Sequence, residues 1–237
     1  MGRLTLGLLV AGLILGGPLW MQGILSQTPA LAAGGGSISG RVVLNGDAPA
    51  AKTVKVTKDN EKCGAEKASE DLIVSSDRGI KNAVVSVTSV KGAAGNKTAT
   101  IDQKGCVFNP HVAVVSPGGS VDILNNDGIL HNFHTHSSKN AAINKAQPGF
   151  KKKMSESFAQ AEIIKVNCDA HAWMTAWIVV TDNPAIATGD GGAFKIENVP
   201  PGDHTIEVWH ETLGKITKKV SVKAGEDAKI TLELAKK

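Results

Sequence analysis

Short segments of alternating apolar and polar residues recur along most of this 237-residue chain, and turn-forming residues separate them. In the last segment, Ile230, Leu232 and Leu234 would lie on one face of a strand, with Thr231 and Glu233 on the other. Clusters of Gly, Pro, Asn and Asp end the segments. Many short strands joined by such turns are typical of β-sandwiches. The sequence therefore predicts an all-β fold.

The predicted strands fall into two sets, before and after the turn at 182–184. Residues 61–77 give no clear prediction, and residues 140–146 have the pattern of a short helix. The predicted strands are 38–44, 53–57, 83–90, 98–102, 107–115, 121–124, 161–166, 177–181, 193–196, 205–209, 216–222 and 228–234.

The N-terminus has the pattern of a secretory signal. Arg3 is the one charged residue among the first 32, residues 4–15 are apolar, and residues 30–32 form an Ala-Leu-Ala cleavage pattern. The apolar run is shorter than the ~20 residues that a membrane span needs. The sequence predicts a signal peptide over 1–32 and a periplasmic or extracellular protein, with an uncleaved membrane anchor as the alternative.

Three cysteines in an exported chain leave one without an intramolecular partner. Cys63 and Cys106 lie in polar, glycine-bearing segments and can pair in an oxidising compartment. Cys168 would then be free. A bond between Cys106 and Cys168 is the competing possibility.

The charge balance argues against nucleic acid as a partner. The 26 basic and 22 acidic residues give a formal charge of +4, or +3 without Arg3. The sequence has no basic stripe with interleaved aromatic residues. The one basic cluster, residues 151–153, is interpreted either as a docking site for an acidic partner or as a solvated loop.

Three potential metal ligands lie within seven consecutive residues: Cys168, His171 and Met174. His131 lies upstream, after a different predicted strand. A thiolate, two imidazoles and a thioether form a donor set that selects copper and is typical of a blue-copper electron-transfer site. Structural zinc sites rarely use methionine, which disfavours zinc.

Several motifs around these residues resemble the cupredoxin family, which includes plastocyanin and amicyanin. They are Phe-Asn-Pro at 108–110, Gly-Gly-Ser-Val at 118–121, Asn-Asp at 126–127 ahead of His131 and Asn132, and the Cys-x2-His-x2-Met spacing. By this resemblance, the amide of Asn132 would connect the two ligand loops.

The resemblance implies a Greek-key β-sandwich over residues 81–184. It also implies one copper ion that cycles between Cu(I) and Cu(II), held by His131, Cys168, His171 and Met174. A carrier of this kind is not an enzyme. The C-x2-H loop has a single cysteine, whereas a binuclear copper site requires two.

The remaining histidines have weaker interpretations. His134 and His136 would share the strand face opposite to His131 and form either a second metal site or a solvent-facing pair. His111 either assists the metal site or is a satisfied strand residue. His204 and His210 are expected at the surface.

The C-terminal part resembles a second family. Residues 189–194 and 198–202, followed by an alternating strand, resemble the carboxypeptidase regulatory-like (transthyretin-like) small β-sandwich, and residues 38–46 resemble its opening strand. The sequence predicts N-terminal strands over 33–80, which are possible members of this second sandwich. It predicts the second sandwich itself over 185–237. The cupredoxin-like domain is either inserted into the second sandwich or placed in tandem with it.

Together these observations predict an exported mononuclear copper protein that carries single electrons between redox partners. A c-type cytochrome or a dehydrogenase is the kind of partner expected, with no nucleic acid, and with a membrane only if the signal is uncleaved. The alternatives are a periplasmic copper-binding carrier and a structural cell-surface β-sandwich protein without a redox role.

Overall fold

The computed structural model describes residues 34–92 and 96–236, and this part of the chain is almost all β. The predicted signal peptide over 1–32 lies outside it. The strands are β1 Gly36–Asn45, β2 Thr53–Lys55, β3 Glu66–Ala68, β4 Val84–Val87, β5 Thr98–Gln103, β6 Phe108–Asn109, β7 Val112–Val115, β8 Gly119–Asn125, β9 His131–His136, β10 Asn144–Gln147, β11 Lys153–Phe158, β12 Glu162–Asn167, β13 Thr175–Val180, β14 Ala185–Ala187, β15 Ala193–Val199, β16 Gly202–His210, β17 Gly214–Val222 and β18 Asp227–Ala235. One four-residue helix, α1, spans Asn60–Cys63. No helix in the described ranges is long and apolar enough to cross a membrane.

Strands β5 to β13 build one sandwich, which we call the site sandwich. One sheet has the order β10-β9-β12-β13-β7 and the other the order β11-β8-β5-β6. Their inner faces enclose a core that includes Phe108, Phe133 and Phe158, all fully buried, and the rings of Phe108 and Phe133 meet edge to face. The alternation in β9 buries His131, Phe133 and Thr135 and turns Asn132, His134 and His136 outward, as the strand period requires.

The second sandwich combines strands from both ends of the described chain. Its sheets have the orders β15-β1-β18 and β14-β4-β16-β17. Strand β1 lies between β15 and β18 and runs parallel to β18. A glycine is needed at position 40, because a Cβ there would lie 1.7 Å from the backbone oxygen of Ile230. The N-terminal strand therefore completes a sheet whose other members are C-terminal.

The two sandwiches pack against each other through a small apolar cluster, which we call the junction. Val84 of β4 meets Val112 of β7 and Val179 of β13 there. Trp177 and Trp209 flank the cluster with ring centroids 5.2 Å apart. The described residues from 34 onward form one compact unit.

One sequence prediction about local structure and one about the partners of a strand were wrong. Residues 140–146 were expected to include a helix, but β10 pairs antiparallel with β9, and its backbone groups are satisfied by that ladder. Residues 83–90 were expected in the site sandwich as part of 81–184, but β4 hydrogen bonds to β14 and β16 in the second sandwich. Nothing in the sequence of residues 83–90 indicates that they pair with β14 and β16, which lie far along the chain. The division of the chain into domains otherwise remains a prediction.

The cysteine prediction is confirmed in one of its two forms. Cys63 and Cys106 form a disulfide across 43 residues of sequence, and Cys168 is free and buried. The disulfide joins α1, which lies outside both sandwiches, to the turn between β5 and β6.

Candidate metal centre

Three of the four predicted ligands converge at one end of the site sandwich. The donor atoms of His131, Cys168 and His171 all lie within 4.8 Å of one another, and all three residues are fully buried. His131 begins β9, while Cys168 and His171 lie in the connection between β12 and β13. The strands that carry these loops are hydrogen-bonded neighbours in one sheet, so the ladder brings the ligands together.

The distances place the two Nδ1 atoms and the sulfur around one point. The Nδ1 atoms of His131 and His171 are 3.1 Å apart. The Sγ of Cys168 lies 4.0 Å from the first of these nitrogens and 3.6 Å from the second. The opposite nitrogen of each ring faces away from this point.

Each outward nitrogen is held by a carboxylate. The Nε2 of His131 lies 2.9 Å from Asp127 Oδ2, and the Nε2 of His171 lies 2.9 Å from Asp59 Oδ2. An ionised carboxylate only accepts hydrogen bonds, so both Nε2 atoms donate. In the neutral imidazoles the lone pairs are then on Nδ1 and point at each other. Two lone pairs at 3.1 Å repel unless a proton or a cation lies between them.

The donor set therefore fits a soft or borderline metal ion. A buried thiolate and two imidazole nitrogens are ligands that copper prefers, and the carboxylates fix the ring orientation as partners of ligating histidines do. Cys168 also accepts a hydrogen bond from the backbone N–H of Asn132 at 3.3 Å. That contact orients the sulfur towards the two Nδ1 atoms.

Burial governs the protonation of the metal-free centre. Loss of solvent raises the pKa of the Cys168 thiol and lowers the pKa of His131. Both shifts favour neutral groups inside the protein. A bound cation would deprotonate the thiol, so metal uptake would release a proton.

The ligand loop is a compact turn. The N–H of His171 donates to the carbonyl of Cys168 at 3.3 Å, and the N–H of Met174 donates to the carbonyl of His171 at 2.9 Å. The N–H of Cys168 in turn donates to the carbonyl of Met174 at 3.1 Å. Met174 is buried in the same core as Cys168. The role of its thioether as a fourth ligand stays a prediction.

Asp127 connects the centre to the disulfide. Its two carboxylate oxygens accept hydrogen bonds from the backbone N–H groups of Gly105 and Cys106, at 2.6 and 2.8 Å. The Cys106 carbonyl accepts a hydrogen bond from the indole of Trp173 at 3.0 Å. One turn thus braces His131 through Asp127 and the ligand loop through Trp173.

Asp59 reaches the centre from outside the sandwich. It precedes α1 in a left-handed conformation (φ 54°), and its side chain makes no capping bond to the helix. The carboxylate instead meets His171, 112 residues away in sequence. The disulfide at Cys63 holds α1 in place. His171 is fully buried beneath this segment.

The expected role of Asn132 is confirmed by the hydrogen bonds. Its side-chain oxygen accepts from the backbone N–H of Asp169 at 3.2 Å, which joins the His131 loop to the Cys168 loop. Trp173 packs against the core beneath the ligand loop, with its ring centroid 5.0 Å from that of His171.

The other histidines lie elsewhere. His134 and His136 are on the outer face of β9, as predicted. His111 contacts Glu211 at the junction and is not part of the converging group. The prediction that His204 and His210 lie at the surface was wrong. Their exposed fractions are 8% and 1%, because both side chains lie on the inward face of β16.

Sequence reasoning missed both carboxylates of the centre. Asp127 belongs to the Asn-Asp motif ahead of His131, and this motif does not indicate that the Asp127 side chain holds the His131 ring. The one feature of the sequence that sets Asp59 apart is its position four residues before Cys63. Neither spacing predicts a contact with a histidine.

No family model matches this chain, and no curated protein matches it. Solved structures that it is similar to include a purple cupredoxin from Nitrosopumilus maritimus, at 18% identity over 35% of this chain and 99% of that one, with a TM-score of 0.30. The Cu(I) form of a single-residue mutant of amicyanin is 20% identical over 37% of this chain and 86% of that one, with a TM-score of 0.32.

A third similar structure is the Cu-containing nitrite reductase NirK from Thermus scotoductus SA-01. It is 17% identical over 39% of this chain and 25% of that one, with a TM-score of 0.33. The neighbours are thus cupredoxins at low similarity and partial coverage.

Proposed function

We propose that this protein is an exported mononuclear copper protein that carries single electrons and is not itself an enzyme. His131, Cys168 and His171 would hold the ion, with Met174 as a weak fourth ligand. The observation that carries the proposal is the convergence of three buried donor atoms within 4.8 Å, two of them lone-pair nitrogens 3.1 Å apart.

When bound, copper supplies a one-electron couple between Cu(I) and Cu(II). The protein holds the donors so that they move little when the charge changes. Asp127 and Asp59 fix the two imidazoles, and the Asn132 N–H fixes the sulfur. Full burial of all three ligands excludes water. Such rigid, dry surroundings suit electron transfer.

Other metals and other roles are less well supported. Tetrahedral zinc sites use four strong ligands or an open position for water, and this centre offers three buried donors and a buried methionine. The described residues contain no second converging group of three or more His, Cys, Asp or Glu side chains, which a second catalytic metal would need. A copper carrier without redox function is the alternative proposal.

The proposed partner is an acidic redox protein such as a c-type cytochrome or a dehydrogenase. Phe150 and Leu130 are exposed by 84% and 48%, and the turns that carry them touch at Gly128 and Gly149. The basic cluster 151–153 follows directly. An apolar tip beside positive charge, close in sequence to His131, suits an acidic partner. The disulfide supports export, because such bonds persist in oxidising compartments.

The test is to add Cu(II) to the metal-free full chain and record visible and electron paramagnetic resonance spectra. We expect an intense thiolate-to-copper charge-transfer band that saturates at one equivalent. Cys168→Ser should abolish the band, because it removes the thiolate. His136→Ala, at an exposed position near the centre, should retain it.

A copper-bound but colourless protein would contradict the proposal. Weak colour at every stage of the titration would favour the carrier alternative.

A further inference from the structure

A second pair of histidines lies outside the centre described above, on the outer face of β9. The rings of His134 and His136 stack with centroids 4.6 Å apart and an interplanar angle of 29°. Residues two apart on a strand face the same side, so the backbone itself pairs these rings. Both are reachable from solvent: His136 is exposed and the His134 side chain is 28% exposed.

One nitrogen of each ring is occupied by an oxygen acceptor. The Nδ1 of His134 lies 3.0 Å from both carboxylate oxygens of Asp169, and the Nε2 of His136 contacts Asn167 Oδ1. These oxygens only accept, so the two ring nitrogens donate; the Asn144 amide nitrogen, 3.3 Å from the same Nδ1 of His134, donates to Asp169 Oδ2 at 3.1 Å. The other nitrogens, Nε2 of His134 and Nδ1 of His136, therefore carry lone pairs. Neither has a hydrogen-bond partner within residues 34–92 and 96–236.

This is the arrangement that prepares imidazoles for a metal ion: one nitrogen held by an oxygen, the other free. We propose that His134 and His136 bind a borderline divalent transition-metal ion, such as Zn²⁺, at the surface. Asp169 and Asn167 orient the two rings, and water fills the remaining positions. Imidazole nitrogens are the ligands that ions of this class prefer.

The surroundings are open and close to charge-neutral. A cavity of about 630 Å³ lies beside His136, and its lining includes Lys165, Asn167, Cys168 and Asp169. The Asp169 carboxylate offsets the Lys165 ammonium, so an incoming cation meets no excess positive charge. Asp169 directly follows Cys168, which places this surface site one peptide bond from the buried centre. The proposal does not depend on which metal the buried centre holds.

The test is a calorimetric titration of Zn²⁺ into the metal-free full chain. The wild type should bind one equivalent more than the His134→Ala/His136→Ala variant, whatever the buried centre takes up. Each single substitution should also lose that equivalent, because one exposed imidazole does not chelate. Lys165→Ala, in the same cavity, should keep it.

Equal numbers of equivalents in the wild type and in either single variant would overturn the proposal, provided circular dichroism shows that the variant is folded. Asp169→Asn should weaken the site about 10- to 100-fold, the usual effect of losing a partner that orients a ligating histidine. Unchanged affinity would contradict the orienting role of Asp169. A colourless copper complex at the buried centre would leave this result unaffected.

Discussion

The candidate metal centre and the junction each contain a buried histidine with a carboxylate partner, and they differ in which ring nitrogens the carboxylates occupy. At the centre, Asp127 and Asp59 occupy the outward nitrogens, and the inward nitrogens face each other and a sulfur. At the junction, His111 has Glu211 at one nitrogen and Glu70 at 3.7 Å from the other.

The difference lies in what remains free on the ring. Carboxylates on both sides favour a protonated imidazole, which makes an ion pair and offers no lone pair. At the centre each ring has a carboxylate on one side only, and burial outweighs the effect of Asp127 and lowers the pKa of His131, so this ring is neutral and its Nδ1 keeps a lone pair. The protonation of a buried histidine, and with it the availability of a ligand nitrogen, therefore depends on the balance between burial and the number of its acidic partners.

The largest expected effect concerns the disulfide, since it braces the centre while the junction has only non-covalent contacts in the described chain. Replacing both cysteines in Cys63→Ala/Cys106→Ala should lower the free energy of unfolding by about 3–4 kcal/mol, because a closed loop of 43 residues restricts the unfolded chain. Urea denaturation of the metal-free protein measures this.

Cys168→Ala is the matched control, because it removes one buried sulfur without breaking a crosslink. A double variant that unfolds at the same urea concentration as Cys168→Ala would show that the crosslink adds nothing. Reducing the wild-type disulfide should reproduce the double variant.

The second prediction concerns copper affinity, which should depend on the carboxylates of the candidate metal centre and not on the carboxylate at the junction. Asp127→Asn and Asp59→Asn should each lower copper affinity about 10- to 100-fold, because an amide no longer holds the imidazole in the required tautomer. Glu211→Gln, which alters the partner of His111 at the junction, should leave copper affinity unchanged. Competition with a chelator of known affinity measures all three.

If Glu211→Gln weakens copper binding as much as Asp127→Asn does, the contrast between the two regions fails. An unchanged affinity in Asp59→Asn alone would show that the segment around α1 covers His171 without orienting it.

Sequence reasoning predicted the parts of the centre that are local. Cys168 and His171 lie in one turn, and Asn132 adjoins His131, so their proximity follows from chain connectivity and strand pairing. The all-β class and the free cysteine followed from alternation and from counting. These inferences need no knowledge of which sheet a strand joins.

The missed features all depend on contacts between distant segments. Asp59 meets His171 because a disulfide and a short helix place it there, and no periodicity encodes that contact. Strand β4 has an ordinary β-branched pattern that suits either sandwich, and it belongs to the second sandwich because it pairs with β16. In residues 140–146, pairing with β9 overrode the local helical pattern. His210 is buried because it lies on the inward face of β16, and the sequence alone does not show which face of that strand points inward.

The smallest expected effect is a pH dependence at the junction. Burial lowers the pKa of His111, but the hydrogen bond and charge of Glu211 and the charge of Glu70 outweigh it, so the pKa is raised. The protonated ring then stabilises the fold below the unfolded pKa of about 6.5, and this contribution is lost as pH rises through the higher folded value.

Two neighbours share this environment and titrate with it. Burial raises the pKa of Glu70, which adds to the same trend, whereas burial lowers the pKa of His210, which opposes it. Lys81 also faces Glu70 as a charge. The difference between the wild type and His111→Gln reports the His111 ring together with its charge interactions with Glu70 and His210. Urea denaturation from about pH 5.5 to about pH 8.5, a range that spans the unfolded pKa of histidine, should show the stability advantage of the wild type shrinking as pH rises.

An advantage that grows with pH would mean that His111 is neutral in the folded protein, and the junction would then resemble the metal centre in the one property that we use to distinguish them.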